Sequence, residues 1–417
     1  MGIQSTPVVG IFNSKQYHPD IVVDSFSKNL LKYSAGGQAP FFAISGLFGS
    51  ETIYATKHEF WAETMVYPRF SLAANISATD TTITVDSTEM FLKNDTFRLE
   101  ATEEVIIVNA ILSPTQMVVS RGAGAAAINI ATDNKRAYKI GNAFEESSLR
   151  PNAKTLIPIK LSNRTQIFRN SFAVSGTVAQ VKQIIGDQQV AKSRIDGTEF
   201  HANDIEFSLI FGKGGEGFRD GQPFRMMDGI LQTIGNIDYY PDSYNQPNVF
   251  QAPAAGVHYD MLEEWLEKTL NTSINGKNSN TRTIYCGATA LTTFVKIGRL
   301  QGQYQIVDGQ TVFGMTFTRF RTARGVFELV EHPLFNTNED WSAMALVVDH
   351  EYFDLAYLGD RKQQVREFNA QGNTVASDNG IDAVGGTITS ELTNLVRNAP
   401  SNAVIKGLRK AIPTPAS

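Results

Sequence analysis

The chain is 417 residues long, room at ~150 residues per domain for two or three compact units, and with 42% hydrophobic and 19% charged residues it is not a largely disordered chain. A formal net charge of −5 argues against a dedicated nucleic-acid binder, whose domain carries a basic excess. No apolar run reaches the ~18 residues a membrane helix needs, which predicts a soluble chain without membrane contact.

The opening Met1-Gly2-Ile3-Gln4-Ser5-Thr6 lacks the basic and apolar regions of a secretory signal. It fits the permissive N-myristoylation pattern, and an ordinary flexible terminus is the competing reading. Through residue 40 the apolar positions are scattered and Gly36-Gly37 interrupts them, so this stretch reads as an arm that packs on something else. The run Pro40 to Phe48, leading into Thr56-Lys57-His58-Glu59-Phe60-Trp61-Ala62-Glu63, predicts strand only partly covered by its own chain.

Residues 71–141 change character. Thr82-Ile83-Thr84-Val85-Asp86 and Phe97-Arg98-Leu99-Glu100 alternate with period two, and Val105–Val108 and Met117–Val119 are further strand-like runs. Helical periodicity is missing, so the segment predicts a small all-β barrel or sandwich, inserted as a module. Its flanks, Thr56–Pro68 and Ala143–Val174, read as two halves of one hairpin.

Ser175 is an N-cap candidate, with Val178, Val181 and Ile185 forming an apolar stripe. Asp196-x-x-Glu199 resembles a capping box before Ala202, Ile205 and Leu209, and together these predict one long, interrupted helix ending near Gly212. The Gly-, Asp-, Asn- and Pro-rich stretch from Gly212 to Pro253 reads as loop. Asp260-x-x-Glu263 then opens an amphipathic helix, with Leu262, Trp265, Leu266 and Leu270 inward and a Glu264/Lys268 pair outward. An αβ region follows: strand Thr283–Cys286, helix around Leu291–Leu300, and strands at Met315–Phe320, Val326–Val330 and Ala343–Val348. The tail has a strand at Thr387–Val396, a break at Pro400 and a basic end.

Signals of chemistry are weak. Gly212-Lys-Gly214-Gly-Glu-Gly217 fits Gly-x-Gly-x-x-Gly, but a dinucleotide site needs a strand before it and a helix after it. Here a helix precedes and a loop follows, so Gly212 reads as a helix end without phosphate affinity. His18, His58, His201, His258, His332 and His350 never fall at metal-ligand spacing, and no nucleophile motif surrounds the single cysteine, Cys286, expected as a buried small hydrophobe. Glu263/Glu264 and Asp354/Asp360 are explained as carboxylates on a solvated face. No catalytic, cofactor-binding or metal residue is predicted. What remains is architecture: an arm, amphipathic strands that lack self-cover, and a long helix, as in a subunit whose neighbours complete its core.

Specific runs carry a resemblance. Pro40-Phe41-Phe42, Thr56 to Trp61, Thr165-Gln166-Ile167-Phe168-Arg169 with Val174-Ser175-Gly176-Thr177, Asp204-Ile205-Glu206, Arg225 to Ile230 and the ending Gly386 to Asn398 resemble tailed-phage major capsid proteins of the Hong Kong 97 fold. The module with Ala78-Thr79-Asp80-Thr81-Thr82-Ile83-Thr84-Val85 and Arg121-Gly122 is similar to the β insertion of one branch, although Arg121 to Ala127 is richer in alanine than that pattern.

The resemblance implies an α+β fold divided as an N-terminal arm (1–45), E-loop strands (46–70 and 142–174), an inserted β domain (71–141), a peripheral domain with a spine helix (175–225 and 361–417) and an axial domain (226–360). It implies a structural protein of the virion capsid, assembled in the host cytoplasm as hexamers and pentamers into an icosahedral or prolate shell around double-stranded DNA. Scaffolding and portal proteins are the implied partners, with a decoration protein as a further candidate and only non-specific contact with packaged DNA. The expected subunit-interface residues are Trp61, Arg69, Arg164 and Arg169, the arginines meeting carboxylates of adjacent subunits. Two rivals stay open: a β-rich phage tail or adhesion protein, which needs no spine helix, and an enzyme, which rests on the glycine-rich loop alone.

Overall fold

The structure, a computed structural model, describes residues 39–63, 69–89, 91–100, 102, 104–123, 125–130, 136–153, 155, 157–181, 189–240, 247–272, 274, 279–300, 311–312, 315–316, 318–368 and 382–414. The myristoylation pattern and most of the expected N-terminal arm lie outside them.

The run from Pro40, expected as strand, is a helix, α1 (Pro40–Leu47). Proline fits the first helical position because its missing N–H is an orphan there anyway. The next two amides find their acceptor outside the helix: Phe41 and Phe42 N–H donate to Glu206 Oε1 and Oε2 at 2.8 and 2.6 Å. A tertiary partner thus overrides local propensity.

After α1 come β1 (Ser50–Ile53) and β2 (Lys57–Ala62). Six strands follow in the segment of period-two alternation: β3 (Arg69–Ser71), β4 (Thr82–Thr84), β5 (Asp95–Leu99), β6 (Val105–Ser113), β7 (Gln116–Ser120) and β8 (Arg136–Asn142). They pair in the order β3-β8-β5-β6-β7-β4, and a bridge between Leu72 and Val85 joins the two ends into a closed barrel. Inward residues including Phe70, Ile83, Phe97, Leu99, Ile106 and Met117 form a separate apolar cluster. One ion pair is buried beside it, Arg121 with Glu104 at 2.6 Å, and the same guanidinium also donates to Ser77 O and Ile128 O.

The chain returns through β9 (Ile159–Arg164) and β10 (Gln166–Ser175) to α2 (Gly176–Gln180) and α3 (Gln189–Phe211). Ser175 caps α2 as expected, accepting from Val178 N. Asp196 and Glu199 lie inside α3 and start nothing; Gly197 between them sits against the Phe172 side chain, where helix and strand approach closely. The stretch expected as loop contains a hairpin, β11 (Gly215–Arg219) and β12 (Gln222–Met226), then α4 (Ile230–Gly235) and β13 (Val249–Gln251). Asp220-Gly221, with φ of 51° and 73°, makes the two-residue turn that left-handed positions favour.

α5 (Tyr259–Lys268) buries Leu262 and Leu266, with Glu264 and Lys268 paired at 3.1 Å outside. Its cap is His258, whose Nδ1 accepts from Met261 N, not Asp260. Next are β14 (Thr281–Cys286), α6 (Ala288–Leu300), the short pair β15 (Thr311–Val312) and β16 (Met315–Thr316), β17 (Thr318–Arg321), β18 (Val326–Glu331), α7 (Glu339–Ser342) and β19 (Ala345–Val348). The chain closes with β20 (Phe353–Leu358), β21 (Gln364–Phe368), β22 (Ala383–Val396) and β23 (Ala403–Lys406).

Two sheets organise the body. One has the order β1-β20-β22-β10, with β21 alongside β22; the other is β13-β23-β19-β14-β18-β17. β19 is buried on both faces, as strands covered on both sides are. Leu346 and Val348 point into a cluster with α1, α3 and α4, and Ala345 and Val347 into a cluster with α5 and α6 that also buries Cys286. β20 lies within the span expected to be axial, yet it pairs with β22 of the tail; β23 of the tail pairs with β19. Where the tail crosses between sheets, Arg282 holds Ser401 O at 3.1 Å and Asp349 at 3.1 Å, all out of solvent.

Candidate subunit-interface site

The expected hairpin forms in part: residues 57–62 pair with 159–164, whereas 166–175, expected in its second half, pair with β22 in a body sheet. β2 and β9 pair antiparallel from Lys57–Arg164 to Ala62–Ile159 and stand apart from both body sheets as a two-stranded arm. The strand period of two puts Lys57, Glu59 and Trp61 on one face with Lys160, Ser162 and Arg164 opposite them. Trp61 is 67% exposed, with the Lys160 ammonium 5.7 Å from its ring centre. Hydrogen bonds from Lys160 and Lys57 hold the Glu59 carboxyl below its ordinary range. The face is a mixed ionic surface around a large aromatic ring, and of its residues Trp61 and Arg164 are of types enriched at protein contacts.

The arginines have separate surroundings. Arg164 is engaged within its own chain, its Nε 3.0 Å from Glu216 of β11. Arg169 is exposed on β10. Arg69 pairs through its backbone with Tyr138 at the barrel entrance, and its side chain lies outside the described residues. Trp61 and Arg164 share the arm face, whereas Arg169 belongs to the body sheet.

The root of the arm was not read from the sequence. Asn163 is buried: its Nδ2 meets Asp228 O and Asn394 O at 2.9 Å, and its Oδ1 accepts from Arg164 N and Asp228 N. One residue on, Thr165 donates to Glu391 Oε1 at 3.0 Å while its amide donates to Thr56 O across the two arm strands. Glu391, buried in β22, also receives Arg225 at 3.3 Å and Arg361. Gln166 completes the joint, accepting from Met227 N. A run of polar residues at a strand junction reads as solvated unless the crossing element is known, so no local signal marks this joint. Beside it a cleft of about 210 Å³ lies between the arm and α4. Tyr239 lines that cleft, where burial, with Asp228 and Asp238 adding to it, raises its phenol to about 12.

The glycine-rich run has a packing role. A Cβ on Gly217 would stand 2.9 Å from the Phe224 ring and one on Gly215 3.1 Å from the end of Met226, so these glycines make room for large cross-strand partners in the hairpin. Gly212 lies against the backbone oxygens of Ser208 and Met227. Asp354, expected on a solvated face, is half-buried and faces Arg397 at 2.6 Å, and its carboxyl is raised by burial against that pairing. Cys286 is buried, which pushes its thiol well up. Among the described residues no group of three His, Cys, Asp or Glu side chains is placed to hold a metal ion, and no helix is long and apolar enough to cross a membrane.

Residues 12–409 match the family model of the SU10 major capsid protein. The chain is 31% identical over 410 residues to a major capsid protein of Pseudomonas phage PaMx41, covering 96% of both. Among solved structures, the capsid of a native GTA particle is similar with a TM-score of 0.46 at 10% identity, over 94% of this chain and 97% of that one. A structure from Mycobacterium phage Bobi gives 0.45 at 8% identity, over 95% and 97%.

Proposed function

The chain belongs to the SU10 major capsid protein family, and we propose that it builds its shell as a Hong Kong 97-type subunit whose reaching arm is completed by neighbouring copies. It is a phage major capsid protein: copies of it form the head shell, its place is the virion capsid, and its work is structural, not catalytic. The family match removes the tail or adhesion reading.

The observation that carries the proposal is the β2/β9 arm, whose Trp61 face has no cover among the described residues beyond Lys160 and the flanking charges. A two-stranded ribbon is marginal in water by itself, so a neighbour's surface is the natural support. In this reading residues 1–45 are the N-terminal arm, 46–70 and 142–174 the E-loop apart from strands 50–53 and 166–175, which pair in a body sheet, and 71–141 an inserted domain, supported by the closed barrel and its separate core. Residues 175–225 and 361–417 are peripheral and 226–360 axial, with strand 353–358 assigned to the first and 403–406 to the second because of their pairing. Trp61, Arg69 and Arg169 meet adjacent subunits, and Arg164 orients the arm through Glu216.

Hexamers and pentamers of the chain close an icosahedral or prolate head around double-stranded DNA. Scaffolding and portal proteins take part, with a decoration protein as a further candidate. The acidic balance supports an inner wall that holds packaged DNA without tight phosphate contacts. Negative-stain microscopy of the purified chain tests the reading: closed shells are expected. Light scattering that finds only monomer under every salt and scaffold condition overturns it.

A further inference from the structure

We propose that residues 40–49 form a latched strap, docked and released as one unit, with the Glu206 carboxylate as its latch and Gly49 as its hinge. The inference stands on the geometry of this chain and does not depend on how the shell is built.

Helix α1 cannot hold itself. It has eight residues, against the ~12–15 below which isolated helices are marginal. Ala39 at its N-cap offers no side-chain oxygen, so nothing local satisfies the first amides. They are satisfied from α3, where the Glu206 oxygens lie 2.8 Å from Phe41 N and 2.6 Å from Phe42 N, a connection spanning 165 residues of chain. The helix therefore exists only where α3 presents a carboxylate.

A second observation shows that the site is built around that carboxylate. His332 Nε2 lies 2.7 Å from Glu206 Oε1, with both side chains fully buried. His332 thus turns its other nitrogen, Nδ1, into the interior without a partner among the described residues. An orphaned buried nitrogen is costly, and here it accompanies a ring orientation that gives Glu206 a third donor. Three N–H groups on one carboxylate let go together when it is lost, because each would be left unpaired inside the protein.

The strap is gripped at one end and open at the other. Phe41 is fully buried, edge-on to Tyr285 at 5.3 Å and to Phe353 at 4.9 Å. Leu47 and Phe48 are 60% and 62% exposed, although Phe48 stacks over the His350 ring. Gly49 then has φ of 114°, a conformation open to glycine, and a Cβ there would meet nothing within 4 Å. Glycine at this position gives the backbone a wider choice of φ than any other residue, which is what a pivot needs. Fully extended, ten residues span about 30 Å, so docking decides where the preceding chain leaves the subunit.

Amide hydrogen exchange on the full chain tests this with Glu206→Ala and Glu206→Gln. The expected result for Glu206→Ala is exchange at residues 41–47 faster by at least about tenfold, with α3, β14 and β22 within about twofold of the parent. Glu206→Gln, which keeps the shape but puts an amide NH2 donor where one acceptor oxygen stood, should fall between. The proposal is overturned if residues 41–47 stay as protected as the parent in either variant. It is equally overturned if in both variants they lose protection only together with β14 and β22, since the segment is then an integral part of the core.

Discussion

Asn163 and Asn394 meet side chain to side chain, Nδ2 to Oδ1 at 2.9 Å, where the arm leaves the body sheet. A reaching element needs a fixed angle at its root, and apolar packing is too undirected to set one. Here the angle is set by directional bonds from one amide to the backbones of two other elements.

Asn163→Ala should therefore cost about 2–3 kcal/mol in urea unfolding, because the Asp228 N–H and the paired carbonyls are left buried without partners. Asn163→Asp should cost more, since it places a carboxylate oxygen against two carbonyl oxygens. Equal midpoints for parent and alanine variant would refute this account of the joint.

Arg282 and Asp349 form an ion pair with essentially no exposure, where the tail passes between the sheets. Arg282→Met should destabilise by ~3–5 kcal/mol, most of it from the carboxylate left uncompensated. The double variant Arg282→Met/Asp349→Leu should regain part of that loss. A chemical-denaturation cycle in which the two losses simply add would show that the charges do not depend on each other.

Acid should weaken the fold before the carboxylates titrate. Burial lowers the His201 imidazole and pulls His350 down from 6.5 to about 3, although Asp204 partly opposes the shift at His201. His201 sits between Asn170 and Ser390 at 2.7 Å each; Asn170 donates to Asp204, so its oxygen accepts from Nδ1, and Nε2 accepts from Ser390. With folded values below the unfolded one, the unfolded chain takes up protons first. Stability is thus full above pH 6.5 and falls as pH drops toward the folded values, at up to about 1.4 kcal/mol per pH unit for each histidine. Urea midpoints between pH 7 and 5 should show the decline, and His350→Gln should remove about one proton from its slope.

The barrel should survive excision. β3 and β8 are neighbours, so the first and last strands of the barrel lie side by side, and a short Gly/Ser link in place of residues 72–140 should change arm stability by only about 1 kcal/mol. The excised fragment should give β-type circular dichroism. A random-coil spectrum would mean that its core depends on the body.

Trp61→Ala and Arg169→Ala should leave a folded subunit and lower shell yield, with the larger effect at Trp61, since truncated aromatic anchors dominate interface energies. Unchanged yield in both variants would move the interface elsewhere.

Period-two alternation was readable in the barrel because one face of its strands is buried in the barrel's own core. Pro40–Phe48 misled because an apolar run has no period, and the partner that makes it helical, Glu206, is far along the chain. Asp220-Gly221 was a legible turn signal masked by the surrounding polar loop composition. β20, β21 and β23 were missed for the opposite reason: they are short, and their pairing with β22 and β19 is not local. The arm joint is legible only when Asp228, Glu391 and Asn394 are already in place.

The Leu72–Val85 bridge has a meaning beyond the barrel itself. In a shell, identical subunits are packed side by side, and a sheet with open sides would invite strand exchange with identical sheets nearby. A ring of strands has no first or last member to exchange. Where β6 overhangs, its pairing with β7 slips at two places, near Ala110 and Ser113, bending that stretch out of the flat geometry a stranger's strand would need. The barrel can therefore be crowded against its copies and remain a separate body in each.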